Sequence, residues 1–113
     1  MVIIEFHDGS DWFKANWIFR QLVGDTIAAF PDDNDLRMTL EKSQAYGGLY
    51  FASMDADSSS RTLRAITTVV EQTLEGKIPG WKRTKPEDKE GQEMYLKAIA
   101  EILCLIKRGT GAS

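Results

Sequence analysis

The segment from Met94 to Ile106 constrains the fold more than any other part of the chain. At helical spacing its apolar residues cover most of the circumference of one helix. Such a helix is buried by neighbours on several sides or is shared with another subunit. At 113 residues the chain is the size of one domain, so the remaining residues must supply that cover. The apolar positions are Met94, Leu96, Ala98, Ile99, Ile102, Leu103, Leu105 and Ile106.

The second half of the chain reads as two helices. Asp57 or Ser58 is a candidate cap for a helix that continues to Glu75, and Gly76 ends it. The residues 84–87 match a capping box, which predicts a second helix from there to about Arg108. The inner stripe of the first of these helices is predicted to be Leu63, Ile66, Val70 and Leu74.

The chain begins with a strand pattern that changes to a helix pattern. Residues 2–7 alternate as a strand does, and 8–11 form a breaker cluster that also supplies helix caps. A helix is predicted from Trp12 to Val23, with Gly24 as its stop. Phe13 and Trp17 are predicted to lie in the core, whereas Trp12 and Phe19 are candidates for an exposed interface.

The middle of the chain predicts further strands. Residues 26–30 are a short apolar run before Pro31, and 49–54 are another, with strand-forming aromatics. Residues 36–41 alternate strictly and favour a strand, while a helix from Asp35 to Tyr46 is the competing interpretation.

These elements predict an α+β fold. Their order is strand–helix–strand–strand–strand–helix–helix, with helices covering one face of a small antiparallel sheet of four strands. We expect a single domain over residues 1–108 and a frayed tail over 109–113.

The composition excludes several classes of protein. No apolar run approaches the roughly 20 residues that span a bilayer, so no membrane association is expected. Cys104 is the only cysteine and cannot form an internal disulfide; its apolar neighbours predict an inert core residue. Glu5 and Asp8 stand where a signal peptide would be basic or apolar, and a cytoplasmic protein is the expectation.

Charge is distributed unevenly along the chain. Residues 1–60 hold ten acids and four bases, a net charge of −6, whereas residues 61–113 hold seven acids and ten bases, a net charge of +3. The overall charge of −3 is that of a soluble protein and does not favour nucleic-acid binding.

One strand–helix junction offers groups for catalysis or ligand binding. His7, Asp8 and Asp11 combine the only histidine with two carboxylates, so a small enzyme or ligand-binding domain is one alternative function. Ser10 is too close along the chain to His7 for a Ser-His-Asp triad. We favour a turn followed by a helix cap at this junction, and enzymatic activity is not the leading expectation.

Two acidic clusters mark turns in the first 60 residues. Asp32, Asp33 and Asp35 form one, and Asp55 and Asp57 form the other. Neither matches a calcium-binding loop, so no metal or other cofactor is predicted. If both lie at strand ends, they share one end of the sheet and form a negative patch that suits a basic protein partner.

A basic cluster follows in the connection between the last two helices. Trp81 precedes Lys82, Arg83 and Lys85, which could stack on a base or contact phosphates. This gives a nucleic-acid accessory module as a further alternative, although we favour a tryptophan that packs the loop onto the core.

The leading prediction is a small non-enzymatic module that binds another protein. Its size and its acidic first half are those of an inhibitor or immunity-type protein, with Asp32, Asp33, Asp35, Asp55, Asp57 and Trp81 as candidate contacts. A homodimer is also predicted, because Leu96 and Leu105 flank the inner stripe of the last helix. That stripe is predicted to be Ala98, Ile99, Ile102, Leu103 and Ile106.

Overall fold

The computed structural model describes residues 2–6, 11–76 and 89–109, and it has the predicted α+β class. In this part of the chain the order of elements is strand–strand–helix–helix–strand–helix–helix, which differs from the predicted order. They are β1 (Val2–Glu5), β2 (Asp11–Lys14), α1 (Asn16–Ala29), α2 (Asn34–Tyr46), β3 (Gly48–Tyr50), a 3₁₀ turn (Phe51–Ser53), α3 (Ala56–Leu74) and α4 (Lys89–Gly109).

The sheet is mixed, and its order is β2–β1–β3. β1 pairs antiparallel with β2, in a register that places Glu5 opposite Asp11, and parallel with β3, which places Glu5 beside Tyr50. The predicted four-stranded antiparallel sheet is therefore wrong. Two of its expected strands lie in helices, and the run at 49–54 contributes only Leu49 and Tyr50 to a strand before the chain turns at Phe51.

The two faces of the sheet differ sharply in burial. Ile4, Trp12 and Leu49 lie on the inner face and are buried against the helices. Phe6 extends this core by stacking on Phe51, with ring centroids 5.7 Å apart. The side chains of the outer face are half-buried or exposed, and they are Ile3, Glu5, Asp11, Phe13 and Tyr50.

The first helix begins four residues later than predicted and passes through Gly24. Trp12 lies in β2 and is buried, whereas Phe13 is 53% exposed, so the predicted roles of these two aromatics are reversed. The alternation of a strand sets their opposite directions, where a helix had been expected. Residues 26–29, predicted as a strand, are the end of α1, which stops at Phe30 before Pro31.

Residues 34–46 form α2, so the strand favoured for 36–41 is wrong and the competing helix is right. The Asp33 carboxylate accepts a hydrogen bond from the Leu36 amide at 3.0 Å and caps the helix. Gly47 ends it in the left-handed conformation with φ +77°. The caps at both ends, with helix-forming residues between them, outweigh six residues of alternation.

The helix α3 ends within one residue of the predicted end, but Asp55 caps it in place of the predicted Asp57 or Ser58, and its inner stripe also differs. Ile66 and Val70 are buried as expected, while Leu63 is half-buried and Leu74 is exposed. Gly76 follows the helix with φ +81°, as predicted for its stop. The buried residues of α3 are Ser59, Thr62, Ala65, Ile66, Val69, Val70 and Thr73, and small polar side chains fill much of the interface.

The helix α4 packs its predicted stripe on the sheet and on α3. Four predicted residues, Ala98, Ile99, Ile102 and Ile106, are buried, and Tyr95 joins them. Leu103, the fifth residue of the predicted stripe, is only partly buried, as are the flanking residues Leu96 and Leu105, and all three pack against the same core. Gly109 is the last residue of α4; the predicted tail beyond it and the predicted capping box at 84–87 lie outside the described residues.

Candidate functional site

The first acidic cluster lies at the start of α2 and is partly neutralised. Arg61 of α3 contacts Asp35 with 3.1 Å between guanidinium and carboxylate, and Asp33 at 3.7 Å. Asp33 also serves as the α2 cap, and Asp32 is exposed in the preceding turn. The cluster marks a helix start and not the strand end that the sequence had predicted.

The second acidic cluster lies at the start of α3. Asp55 caps the helix by accepting a hydrogen bond from the Ser58 amide at 3.1 Å. This bond, with a second one from the Ser58 hydroxyl, lowers the pKa of the Asp55 carboxyl below its ordinary value. Asp57 is exposed in the first turn of the helix, where a negative charge is favourable.

Both clusters border one cavity between α2 and α3. The cavity has a volume of about 380 Å³, and Asp33 and Asp57 line it together with Arg61 and Arg64. The clusters are therefore brought together as predicted for a shared surface, but by two packed helices and not by one end of a sheet. Two arginines line the same cavity as these carboxylates, so the surface is less negative than the acidic residues alone indicate.

A larger groove, which sequence reasoning missed, begins where this surface ends. It has a volume of about 670 Å³ and runs between the second half of α2, β3 and the start of α3. Tyr46 is 76% exposed and Tyr50 is 38% exposed at its walls. Asp55 and Met54 also line it. We call this the tyrosine groove; the only sequence signal for it is the pair of tyrosines flanking Gly47 and Gly48.

The alternative site at the first strand–helix junction is described only in part. His7 and Asp8 lie outside the described residues. Asp11 is exposed on β2 and does not cap a helix, because α1 begins at Asn16 after Ala15. The predicted cap at Asp11 is wrong, since the chain forms a β-hairpin strand before it turns into the helix.

The basic cluster at Trp81, Lys82, Arg83 and Lys85 lies outside the described residues. Cys104 is described and is exposed, so the prediction that it lies in the core is wrong. It lies on the solvent side of α4, between the buried positions Ile102 and Ile106. Apolar neighbours in sequence do not share a helix face, and this explains the error.

A partly buried polar contact joins α1 to α4. The Tyr95 hydroxyl donates to the Asp25 carboxylate at 3.4 Å, and the Tyr95 ring lies near Trp17 with centroids 6.4 Å apart. Burial raises the pKa of the Tyr95 phenol, and the charge of Asp25 raises it further. The phenol therefore stays protonated and acts as a hydrogen-bond donor. Gln21, one turn before Asp25, has a buried Nε2 that has no hydrogen-bond partner among the residues that the structure describes.

The described residues contain no group of three or more His, Cys, Asp or Glu side chains placed to hold a metal ion. None of the helices in the described part of the chain is both long and apolar enough to cross a membrane. Comparison of the chain with protein-family models, with curated proteins and with solved structures found no match. The function is therefore argued from the surface of the molecule.

Proposed function

We propose that the protein is a small non-enzymatic interaction module, of the inhibitor or immunity type, that binds a basic protein partner. The observation that carries the proposal is the continuity of two features: the acidic starts of α2 and α3 and the tyrosine groove share Asp55 at their border. Charged side chains would steer the partner, and exposed tyrosines would contribute contact area.

The charge of this surface favours a basic partner. Asp32, Asp33, Asp35, Asp55 and Asp57 are opposed by Arg61, Arg64 and Lys42, which leaves a net charge of −2. Arg61 is already engaged by Asp33 and Asp35. Asp32 and Asp57 are both exposed, and neither is in an ion pair within the described residues, so they are the carboxylates most open to a partner.

The tyrosine groove supplies the apolar part of the surface. Tyrosine is enriched at protein interfaces because its ring buries a large area while its hydroxyl stays hydrogen-bonded. Tyr46 exposes more of its side chain than any other large apolar residue of the described part. The proposal includes a cytoplasmic location, consistent with a single cysteine. The homodimer stays a prediction, and the partial burial of Leu96 and Leu105 within one chain weakens its premise.

The test begins with co-purification of the tagged protein from its native source and identification of what is retained. The association rate of the purified partner is then measured for Asp32→Lys/Asp57→Lys. The matched control is Glu90→Lys/Glu93→Lys, which also reverses two exposed carboxylates, one of them in the first turn of a helix. We expect the first variant to slow association about tenfold at low salt and the control to stay within about twofold.

Two results would contradict the proposed function. One is the retention of nucleic acid or a small molecule in place of a protein. The other is an association rate that both variants and added salt leave unchanged. Tyr46→Ala separates the two parts of the surface, because it should raise the dissociation rate and leave the salt dependence as it was.

A further inference from the structure

The outer face of the sheet carries an ordered arrangement of apolar and acidic side chains. In register, one row across β2 and β1 is Phe13 and Ile3, and the next row across β2, β1 and β3 is Asp11, Glu5 and Tyr50. Phe13 is among the exposed large apolar residues, and Asp11 is exposed. Among the described residues, the helices pack on the opposite face, so this face is the more exposed of the two.

The acidic row places two like charges directly opposite each other on neighbouring strands. Glu5 and Asp11 are cross-strand partners, and side chains in that position have Cβ atoms about 5 Å apart. Like charges in this arrangement destabilise a sheet. Within the described residues, neither carboxylate is in an ion pair. By contrast, Lys14, on the inner side of β2, contacts Glu101 of α4 at 2.8 Å.

A pair of carboxylates that has no ionic partner in the described part of the chain, and that lies beside exposed aromatic rings, is complementary to an arginine. Its planar guanidinium can donate to two carboxylates and lie against an aromatic ring at the same time. Tyr50 lies next to Glu5 in the same row and provides that ring. Phe13 and Ile3, one row away, provide an apolar contact.

We propose that the outer sheet face, comprising Ile3, Glu5, Asp11, Phe13 and Tyr50, docks an extended segment of a basic protein that carries an arginine two positions from an apolar side chain. Rows on a sheet face are separated by two residues, or about 7 Å, and alternate side chains of an extended segment have the same spacing. The proposal rests on the proposed function in assuming a basic protein partner. Tyr50 also lines the tyrosine groove, so the two surfaces adjoin.

The test uses a blocked five-residue peptide with leucine at its second position, arginine at its fourth and threonine elsewhere. Its control replaces arginine with citrulline, which has the same shape without the charge. The binding of each is followed by the amide chemical shifts of the ¹⁵N-labelled protein. We expect saturable shifts at Glu5, Asp11 and Phe13, and a Kd about fivefold lower for the arginine peptide at low salt.

Variants assign the effect to the face. Glu5→Gln/Asp11→Asn should abolish the preference for arginine over citrulline, and Phe13→Ala should weaken both peptides equally. Asp32→Asn/Asp57→Asn removes the same number of charges from the neighbouring surface and should keep the preference. Far-UV circular dichroism and a melting curve establish that each variant is folded.

The proposal is overturned if the amides of the outer face do not shift, if citrulline binds as well as arginine, or if only Asp32→Asn/Asp57→Asn removes the preference. Its failure is distinguishable from that of the proposed function. A partner whose association depends on Asp32 and Asp57, while Glu5→Gln/Asp11→Asn changes nothing, leaves the proposed function intact and removes the outer-face site alone.

Discussion

The adjacent aromatics Trp12 and Phe13 give the sharpest test of the strand at 11–14. Trp12 is 1% exposed and its indole Nε1 donates to the Ala98 carbonyl of α4 at 2.8 Å, so it joins the sheet to α4. Phe13 points to the opposite face and is half exposed. A helix over the same residues, which the sequence had favoured, would place Phe13 in the core.

The expected costs follow from this difference in burial. Trp12→Ala removes a buried aromatic and leaves a cavity, which costs about 3–5 kcal/mol. A chain of this length has a total stability of roughly 6–17 kcal/mol, so the loss is a large fraction of it. Trp12→Phe keeps most of the ring but loses the hydrogen bond and some volume, about 2 kcal/mol. Phe13→Ala removes a ring that is already half in water, about 1 kcal/mol or less.

Urea unfolding followed by circular dichroism at 222 nm measures these costs without relying on the fluorescence of Trp12 itself. In thermal melts, 1 kcal/mol corresponds to about 4 °C for a domain of this size, so Trp12→Ala should lower the Tm by more than 10 °C. The unfolding slope m should be equal in all variants, because the exposed area on unfolding hardly changes. If Phe13→Ala proves as costly as Trp12→Ala, the strand assignment and its two faces are refuted.

Three further predictions concern the sheet, a helix cap and the last helix. Gly48→Ala should lower the free energy of unfolding in urea by about 2 kcal/mol or more, because the new Cβ would lie 2.3 Å from the Ile3 carbonyl oxygen. Gly47→Ala brings its Cβ near no other atom of the described residues and should cost only about 1 kcal/mol, because the residue has a positive φ. Folding lowers the pKa of Asp55, so its charged form stabilises the folded state above about pH 4, and this contribution is lost as the pH falls through the folded pKa. In acid-unfolding curves the free energy of unfolding of the wild type should therefore exceed that of Asp55→Asn near neutral pH, and the difference should vanish at low pH. Leu105→Glu should destabilise by about 1–3 kcal/mol without changing the sedimenting mass, because Leu105 packs partly against the core of its own chain, and a smaller but equally stable species would instead support the dimer.

The helices of the second half were predictable because their signals agree with one another. The apolar spacing of α4 names four of its buried residues, and the glycine after α3 marks its end. The flanking positions were harder to predict, because burial of a side chain at the edge of a stripe depends on the neighbour that packs there. Leu74 follows the period of α3 and is nevertheless exposed at its last turn.

The first half was mispredicted where two periods fit the same short segment. Residues 12–14 and 36–41 each satisfy a strand and a helix pattern, and three to six residues are too few to separate them. Capping decided the second case: Asp33 and Gly47 fix both ends of α2. Residues 12–14 form a strand because they pair with β1, and a local sequence pattern does not show which segment a strand pairs with.

The same limit applies to the surfaces. The acidic turns were visible in the sequence, but their partner Arg61 comes from a different helix, 26 residues beyond Asp35. The outer-face pair is the opposite case. Glu5 and Asp11 were considered separately, one within a strand and one as a helix cap, and only the register of β1 and β2 makes them neighbours.

The contrast between these carboxylates also separates structural from functional charge. Asp33 and Asp35 face a guanidinium, and Asp33 and Asp55 cap helices, so their charges stabilise the fold. Glu5 and Asp11 have no such role in the described structure and repel each other across two strands. In a stable protein the residue at each position usually favours the fold, and a residue that opposes the fold points to a requirement other than folding. A cation brought by a partner would be attracted by both carboxylates, so binding at the outer face would offset the unfavourable pairing of like charges on the two strands.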